Sequence, residues 1–252
     1  MRLVTVGTGT VVPDPDRGSA CHWIEEGGTL VLLDCGAGAL PGLARADLPW
    51  GRIDYLVISH FHVDHIGEIP SLIFALRHAL AEPRTEPLAI WGPEGTQGLF
   101  DALAAAFGTW LLQPGFPVTV REISIGGVYG LGELTLKATK TPHTPESVAL
   151  RLEGGGVSLG YTGDTGPSDD LAEFFRGVDL LLAECSLPEE LVGDNHLSPE
   201  RLAEIATAAE ASRLAVTHVY PQLGRLDVPE LLRAAGYEGE ITMVTDGLEM
   251  IV

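Results

Sequence analysis

The chain has 252 residues, 45% of them hydrophobic, enough to bury one sizeable core and to predict a single domain over residues 1–252. Asp and Glu total 35 against 15 Lys and Arg, a formal charge of −20, which argues against a protein that grips long nucleic acids through a broad cationic face. There is no basic-then-apolar leader and no apolar run of membrane length, so a cytoplasmic protein without a membrane partner is expected.

The predicted elements alternate between strands and helices. Arg2–Val6, Ala20–Glu25 and Thr29–Asp34 read as strands, with Glu26-Gly27-Gly28 as a hairpin turn. A short helix over Ala37–Arg45 precedes a strand at Ile53–Ser59. Gly67–Leu80 carries apolar residues at Ile69, Leu72, Ile73, Leu76 and Leu80, a helical spacing. Leu88–Trp91 is a strand and Gly95–Phe107 a helix. Strands follow at Val118–Ile125, Glu133–Thr139, Ser147–Leu152, Val157–Tyr161 and Asp179–Glu184, with a helix at Asp169–Phe175. Pro199–Ala211 is a helix whose Ser198 suits an N-cap and whose Pro199 suits the first helical position. Arg213–His218, a helix over Val228–Ala235 and Ile241–Val244 close the chain. The 31 Gly and 17 Pro are spread along it, as turns between many short elements, and no repeat of fixed period is visible. Cys21, Cys35 and Cys185 are odd in number and lie in or beside apolar segments, which reads as buried free thiols.

The densest chemistry lies in Ser59-His60-Phe61-His62-Val63-Asp64-His65, directly after an apolar strand. Along an extended segment His60 and His62 point to the same side and can reach one ion. Asp64 and His65 sit at the turn into the next helix and point toward a second. Imidazole and carboxylate ligands suit Zn²⁺, and also Mn²⁺ or Fe²⁺, better than the all-oxygen cages of Ca²⁺. A solvated His-rich turn is the competing reading.

The pattern H-x-H-x-D-H resembles the signature of the metallo-β-lactamase fold hydrolases. That resemblance implies a four-layer αββα sandwich, with metals at the edge where strand ends converge. It also implies that a distant His, a bridging Asp and a final His complete a two-metal site. His143, Asp164 and His218 stand in that order, each just after a strand-like run. By resemblance one divalent ion takes His60, His62 and His143, the other takes Asp64, His65 and His218, and Asp164 bridges them.

Further segments resemble the ribonuclease Z branch: Val6-Gly7-Thr8-Gly9-Thr10 with Pro13, Arg17 and Ser19; Leu32-Leu33-Asp34-Cys35-Gly36-Ala37-Gly38, whose Asp would support the metal loop; and Pro87–Gly95. Ala183-Glu184-Cys185-Ser186 and Asn195-His196-Leu197-Ser198 resemble that branch's acid and histidine elements. The resemblance makes His196 a proton donor to the leaving oxygen, held and kept protonated by Glu184. Asp64 would both bind metal and orient the attacking water. Two close cations would supply hydroxide from a bridging water near neutral pH, and that hydroxide would attack phosphorus in line.

The substrate is where this chain departs from the ribonuclease Z pattern. That branch inserts a flexible basic arm between the residues matching His143 and Asp164. Here 21 positions separate them, filled by a hairpin around Gly154-Gly155-Gly156, and Lys137 and Lys140 are the only lysines in the chain. The expectation is therefore a phosphodiesterase acting on a small or cyclic phosphodiester, not one that binds tRNA or a large duplex. Three alternatives stand beside it: a ribonuclease Z-type tRNA 3′ endonuclease; a lactone or ester hydrolase using Tyr161 or Tyr220; and a sulfate ester hydrolase. Any self-association is expected to give a symmetric homodimer.

Overall fold

The computed structural model describes all of residues 1–252. The first half consists of β1 (Arg2–Gly7), β2 (Cys21–Glu26), β3 (Thr29–Leu33), α1 (Ala39–Arg45), β4 (Tyr55–Val57), α2 (Val63–Ile66), α3 (Ile69–His78), β5 (Leu88–Gly92), α4 (Thr96–Phe107) and β6 (Val118–Glu122). The second half consists of β7 (Val128–Leu131), β8 (Leu134–Lys140), β9 (Val148–Gly154), β10 (Val157–Tyr161), α5 (Asp169–Phe174), β11 (Leu180–Glu184), α6 (Pro199–Ala208), β12 (Arg213–Thr217), α7 (Val228–Ala234), β13 (Glu240–Met243) and β14 (Leu248–Ile251).

Two seven-stranded sheets result, in the orders β14-β1-β2-β3-β4-β5-β6 and β13-β12-β11-β10-β9-β8-β7. In each, a run of antiparallel neighbours gives way to a run of parallel ones, at β3 in the first sheet and β10 in the second. The last strand leaves its own half and pairs antiparallel with β1, as Arg2 opposite Ile251 through Thr5 opposite Leu248.

Central strands are apolar on both faces because both faces are covered. Val31 and Leu33 of β3 point between the sheets, while Leu30 and Leu32 point to the helices outside. In β11 Leu180 and Leu182 face the other sheet, and Leu181 and Ala183 face the outer helices. The outer layers follow the 3.6-residue period. Leu72, Ile73 and Leu76 of α3 pack with Phe100 of α4, and Leu202, Ala203 and Ala206 of α6 pack beneath the second sheet. These are the four αββα layers expected. No helix is long and apolar enough to cross a membrane.

The differences from the sequence reading are local. The expected strand at Ile53–Ser59 shrinks to Tyr55–Val57, the helix expected over Gly67–Leu80 is found at Ile69–His78, and a separate short helix, Val63–Ile66, precedes it. Asp64 and His65 lie inside the short α2, and Glu68 caps a new start with Pro70 in the first turn of α3. Val128–Leu131 and Leu248–Ile251 were not anticipated as strands. Both are edge strands with mixed exposure, so they lack the apolar run that marks a central strand.

Strand direction positions the site. β3 and β4 run parallel, as do β10, β11 and β12. β8 is antiparallel to β9 and β9 to β10, so β8 points the same way as β10. The carboxyl ends of these strands deliver the residues described next to one edge of the sandwich.

Candidate metal centre

Asp34 follows β3 in a left-handed conformation, φ 56°, which turns its carboxylate under the loop after β4. Its Oδ1 accepts the Ser59 backbone N–H at 2.7 Å. Its Oδ2 accepts the Ser59 hydroxyl, the His65 Nδ1–H and the Tyr161 hydroxyl, each at 2.7 Å. Three of these four donors belong to Ser59–His65, so one buried carboxylate supports that loop from behind. Gly36 permits the close approach: a Cβ there would stand 1.9 Å from the Asp64 carbonyl oxygen.

On that base the chain gathers all seven residues expected as ligands. One ligand-capable atom each from His60, His62, His143 and Asp164 lies within 4.8 Å of the others, and so does one each from Asp64, His65 and His218. Asp164, at the end of β10, touches both groups. Its Oδ2 is 3.8 Å from His60 Nε2, 3.7 Å from His143 Nε2 and 3.5 Å from His218 Nε2, and its Oδ1 is 3.3 Å from His65 Nε2. His218 Nε2 also lies 3.5 Å from Asp64 Oδ2. The ring nitrogens of His62 and His143 face each other at 2.9 Å.

The donor set fits divalent cations. The Nε2 atoms of His60 and His65 and Oδ1 of Asp164 are buried without any hydrogen-bond partner, a costly arrangement unless a cation takes their lone pairs. Burial and the neighbouring His65 push His60 down to about 2, so it stays neutral and able to donate a lone pair. Burial opposes ionisation of Asp164, yet the neighbouring His218 and His65 imidazoles outweigh it and hold it well below the usual carboxylate range. Asp64 is lowered to about 2, its burial outweighed by His218 and His65.

The second half supplies a matching buried acid. Glu184 ends β11 fully buried. It accepts from the Thr165 backbone N–H at 2.6 Å, from the Leu197 N–H at 3.3 Å, and from the hydroxyl of Ser186. His196 Nδ1 lies 3.0 and 3.1 Å from its two oxygens. Burial lowers the His196 pKa and the Glu184 contact raises it; the balance is a raised value. The His196 ring stands 4.8 Å from His143 and is stacked 5.9 Å from His218. The loop carrying it is tied down twice: His143 Nδ1 donates to the Asn195 carbonyl at 2.7 Å, and a Cβ on Gly166 would meet the Asp194 carbonyl at 1.8 Å.

The two tyrosines weighed for an ester hydrolase part company. Tyr161 is buried with its hydroxyl on Asp34, behind the site, so it cannot face a substrate. Tyr220 is half-buried, with its ring 6.1 Å from His196 and 5.7 Å from His218. Burial and the nearby Asp164 and Asp64 push its phenol up to about 12. Sequence reasoning missed the two serines, Ser59 and Ser186, and the Asn195 carbonyl. Only the position of Ser59, next to the first histidine, could have pointed to one of them.

The comparisons agree with this architecture. A sequence profile described as "Beta-lactamase superfamily domain" matches residues 29–219. The chain is 28% identical over 271 residues to a protein named Ribonuclease Z from Mycobacterium bovis, covering 98% of this chain and 96% of that one. It superposes on the metallo-beta-lactamase fold protein YhfI from Bacillus subtilis with a TM-score of 0.86 at 23% identity, covering 99% of each chain. With the short form of human tRNase Z the TM-score is 0.79 at 21% identity, covering 100% of this chain and 99% of that one. The chain therefore belongs to the beta-lactamase superfamily, as a hydrolase of the metallo-β-lactamase fold.

Proposed function

We propose that the protein hydrolyses phosphodiester bonds in small or cyclic substrates, with His196 as the proton donor to the leaving oxygen. The observation that carries this reading is the His196–Glu184 pair, an imidazole fixed on a buried carboxylate with its ring against His143 and His218. An alkoxide departing from phosphorus is a strong base, and a positioned acid speeds its loss by roughly 10²–10⁴-fold.

The proposed ligands are His60, His62 and His143 for one ion and Asp64, His65 and His218 for the other, with Asp164 between them. The chemistry of the donors favours Zn²⁺, with Mn²⁺ or Fe²⁺ as further candidates. Two divalent cations bound there would acidify a shared water and offset charge on the phosphoryl oxygens. The rest falls to the chain. Asp64 accepts a hydrogen bond from the attacking water and aims it. Glu184 holds His196 by Nδ1, which leaves Nε2 free to face the substrate. The raised pKa keeps that proton in place further into the neutral range. Tyr220, its phenol held neutral, is available to donate to a substrate oxygen.

A small substrate is favoured by charge. Lys137 is paired to Glu153 at 2.8 Å, and the turn at Gly155-Gly156 stands where an arm would be inserted. Maturation of tRNA 3′ ends is the second reading, favoured by full-length similarity to the mycobacterial protein named Ribonuclease Z. One panel separates the readings: bis(p-nitrophenyl) phosphate, cyclic nucleotides, precursor tRNA, p-nitrophenyl acetate, a homoserine lactone and an aryl sulfate. Turnover of the small diesters with weak tRNA binding at physiological salt is expected. Tight, salt-sensitive binding and efficient 3′ cleavage of precursor tRNA would establish the second reading. Lactone or ester turnover without diester turnover would overturn both.

A further inference from the structure

Ser186 and Ser59 occupy equivalent places beside the two buried carboxylates. Ser186 Oγ donates to Glu184 and lies 3.1 Å from His218 Nδ1. Ser59 Oγ donates to Asp34 at 2.7 Å and lies 3.1 Å from His60 Nδ1. Both serines are buried. A hydroxyl has one proton and a carboxylate can only accept it. Once that proton points to the carboxylate, the serine oxygen has only lone pairs for the imidazole, so the ring must carry its own proton on Nδ1. Nε2 is then left bare, and in both histidines Nε2 is the atom facing Asp164, at 3.5 Å from His218 and 3.8 Å from His60.

We infer that Ser186 and Ser59 are positioning residues: carboxylate, hydroxyl and imidazole form a one-way relay that locks His218 and His60 in the tautomer able to bind a cation. The alternative tautomer of His218 would carry its proton on Nε2 and donate it to Asp164 or Asp64, closing that position to a metal. The backbone of His218 adds to the constraint. It sits at φ 54°, a left-handed conformation uncommon for a residue with a side chain, with its N–H on the Thr8 carbonyl at 3.2 Å. His65 differs, because Asp34 holds its Nδ1 directly and no hydroxyl intervenes.

The inference rests on the proposed ligand set, and the test reads the two separately. In metal-free protein labelled with ¹⁵N in histidine, the ring shifts of His218 report which nitrogen is protonated. The wild type should show the proton on Nδ1, Ser186→Ala should show a mixture of both forms, and Ser186→Thr, which keeps the hydroxyl, should restore the first. Zinc competition against a chelator should show about 10–100-fold weaker binding of one equivalent in Ser186→Ala, with recovery in Ser186→Thr. Ser59→Ala should weaken the other equivalent and leave the His218 shifts unchanged. An unchanged His218 tautomer in a folded Ser186→Ala protein overturns the relay whatever the metal content. A wild type with His218 protonated on Nδ1 that takes up no zinc overturns the ligand set and leaves the relay standing.

Discussion

Asp34 and Glu184 are both fully buried acids at the ends of parallel strands, one in each sheet, and each holds a serine and a histidine directly and a second histidine through the serine. The difference lies in where the histidines face. Both rings on the Asp34 side, His60 and His65, point their Nε2 atoms at Asp164. On the Glu184 side His218 gathers with Asp64 and His65, while His196, partly exposed at 14% of its side chain, lies within 4.8 Å of His218 and Asp164 at the rim. The same arrangement of carboxylate, hydroxyl and imidazole would thus hold cations from one half and from the other present a proton donor to the substrate. A scaffold of two sheets can divide labour in this way because strand ends fix position, while the residue at each end fixes chemistry.

The comparison can be broken from the centre outward. Asp164→Ala removes the one carboxylate that both halves share. Activity should fall to background, and metal analysis should drop from about two equivalents per chain; full occupancy with intact turnover would refute the shared site.

His196→Ala comes next. Metal content should be unchanged, and the rate on a diester with an alkoxide leaving group should fall by about 10²-fold or more. A p-nitrophenolate diester, whose leaving group needs no proton, should be hurt far less. Equal losses on both would reduce His196 to a substrate contact.

Asp34→Asn probes the opposite half. It leaves the backbone contact to Ser59 but weakens the charge-assisted bonds to Ser59 and His65, so zinc affinity should fall by roughly 10–100-fold. Retained affinity with a selective loss on alkoxide substrates would mean that the two halves do not divide the work.

The smallest change expected is in Glu184→Gln, which keeps an acceptor but removes the charge that raises the His196 pKa. A group with a raised pKa keeps its proton as pH climbs past its ordinary value. Removing the cause should move the alkaline limb of the pH–rate profile to lower pH, with little loss at its optimum. A limb that stays in place would assign it to another group.

Much of the site was legible because its residues are adjacent or stand at strand ends. The run His60 to His65 announces metal chemistry in the linear sequence, and the seven expected ligands do converge. Thr29–Asp34 and Asp179–Glu184 read as strands from their apolar runs, and both are strands inside their sheets with every residue buried. What did not show were the edge strands Val128–Leu131 and Leu248–Ile251, whose half-exposed residues carry no distinctive period. Tyr161 illustrates the other limit. A tyrosine at a strand end next to Thr162-Gly163-Asp164 suits a substrate contact, yet alternation along β10 turns it into the space between the sheets, onto Asp34.

The sequence by itself determined the chemistry available, since residue type decides which atoms can hold a cation or move a proton. It determined the layers too, because hydrophobic period follows from which faces must be buried. Only the tertiary structure decided how those atoms are aimed. The pairing of Asp34 with Ser59 and Tyr161, of Glu184 with His196 and of Ser186 with His218 joins residues up to 127 positions apart. A ring's tautomer and direction depend on partners that are neighbours only after both sheets have packed.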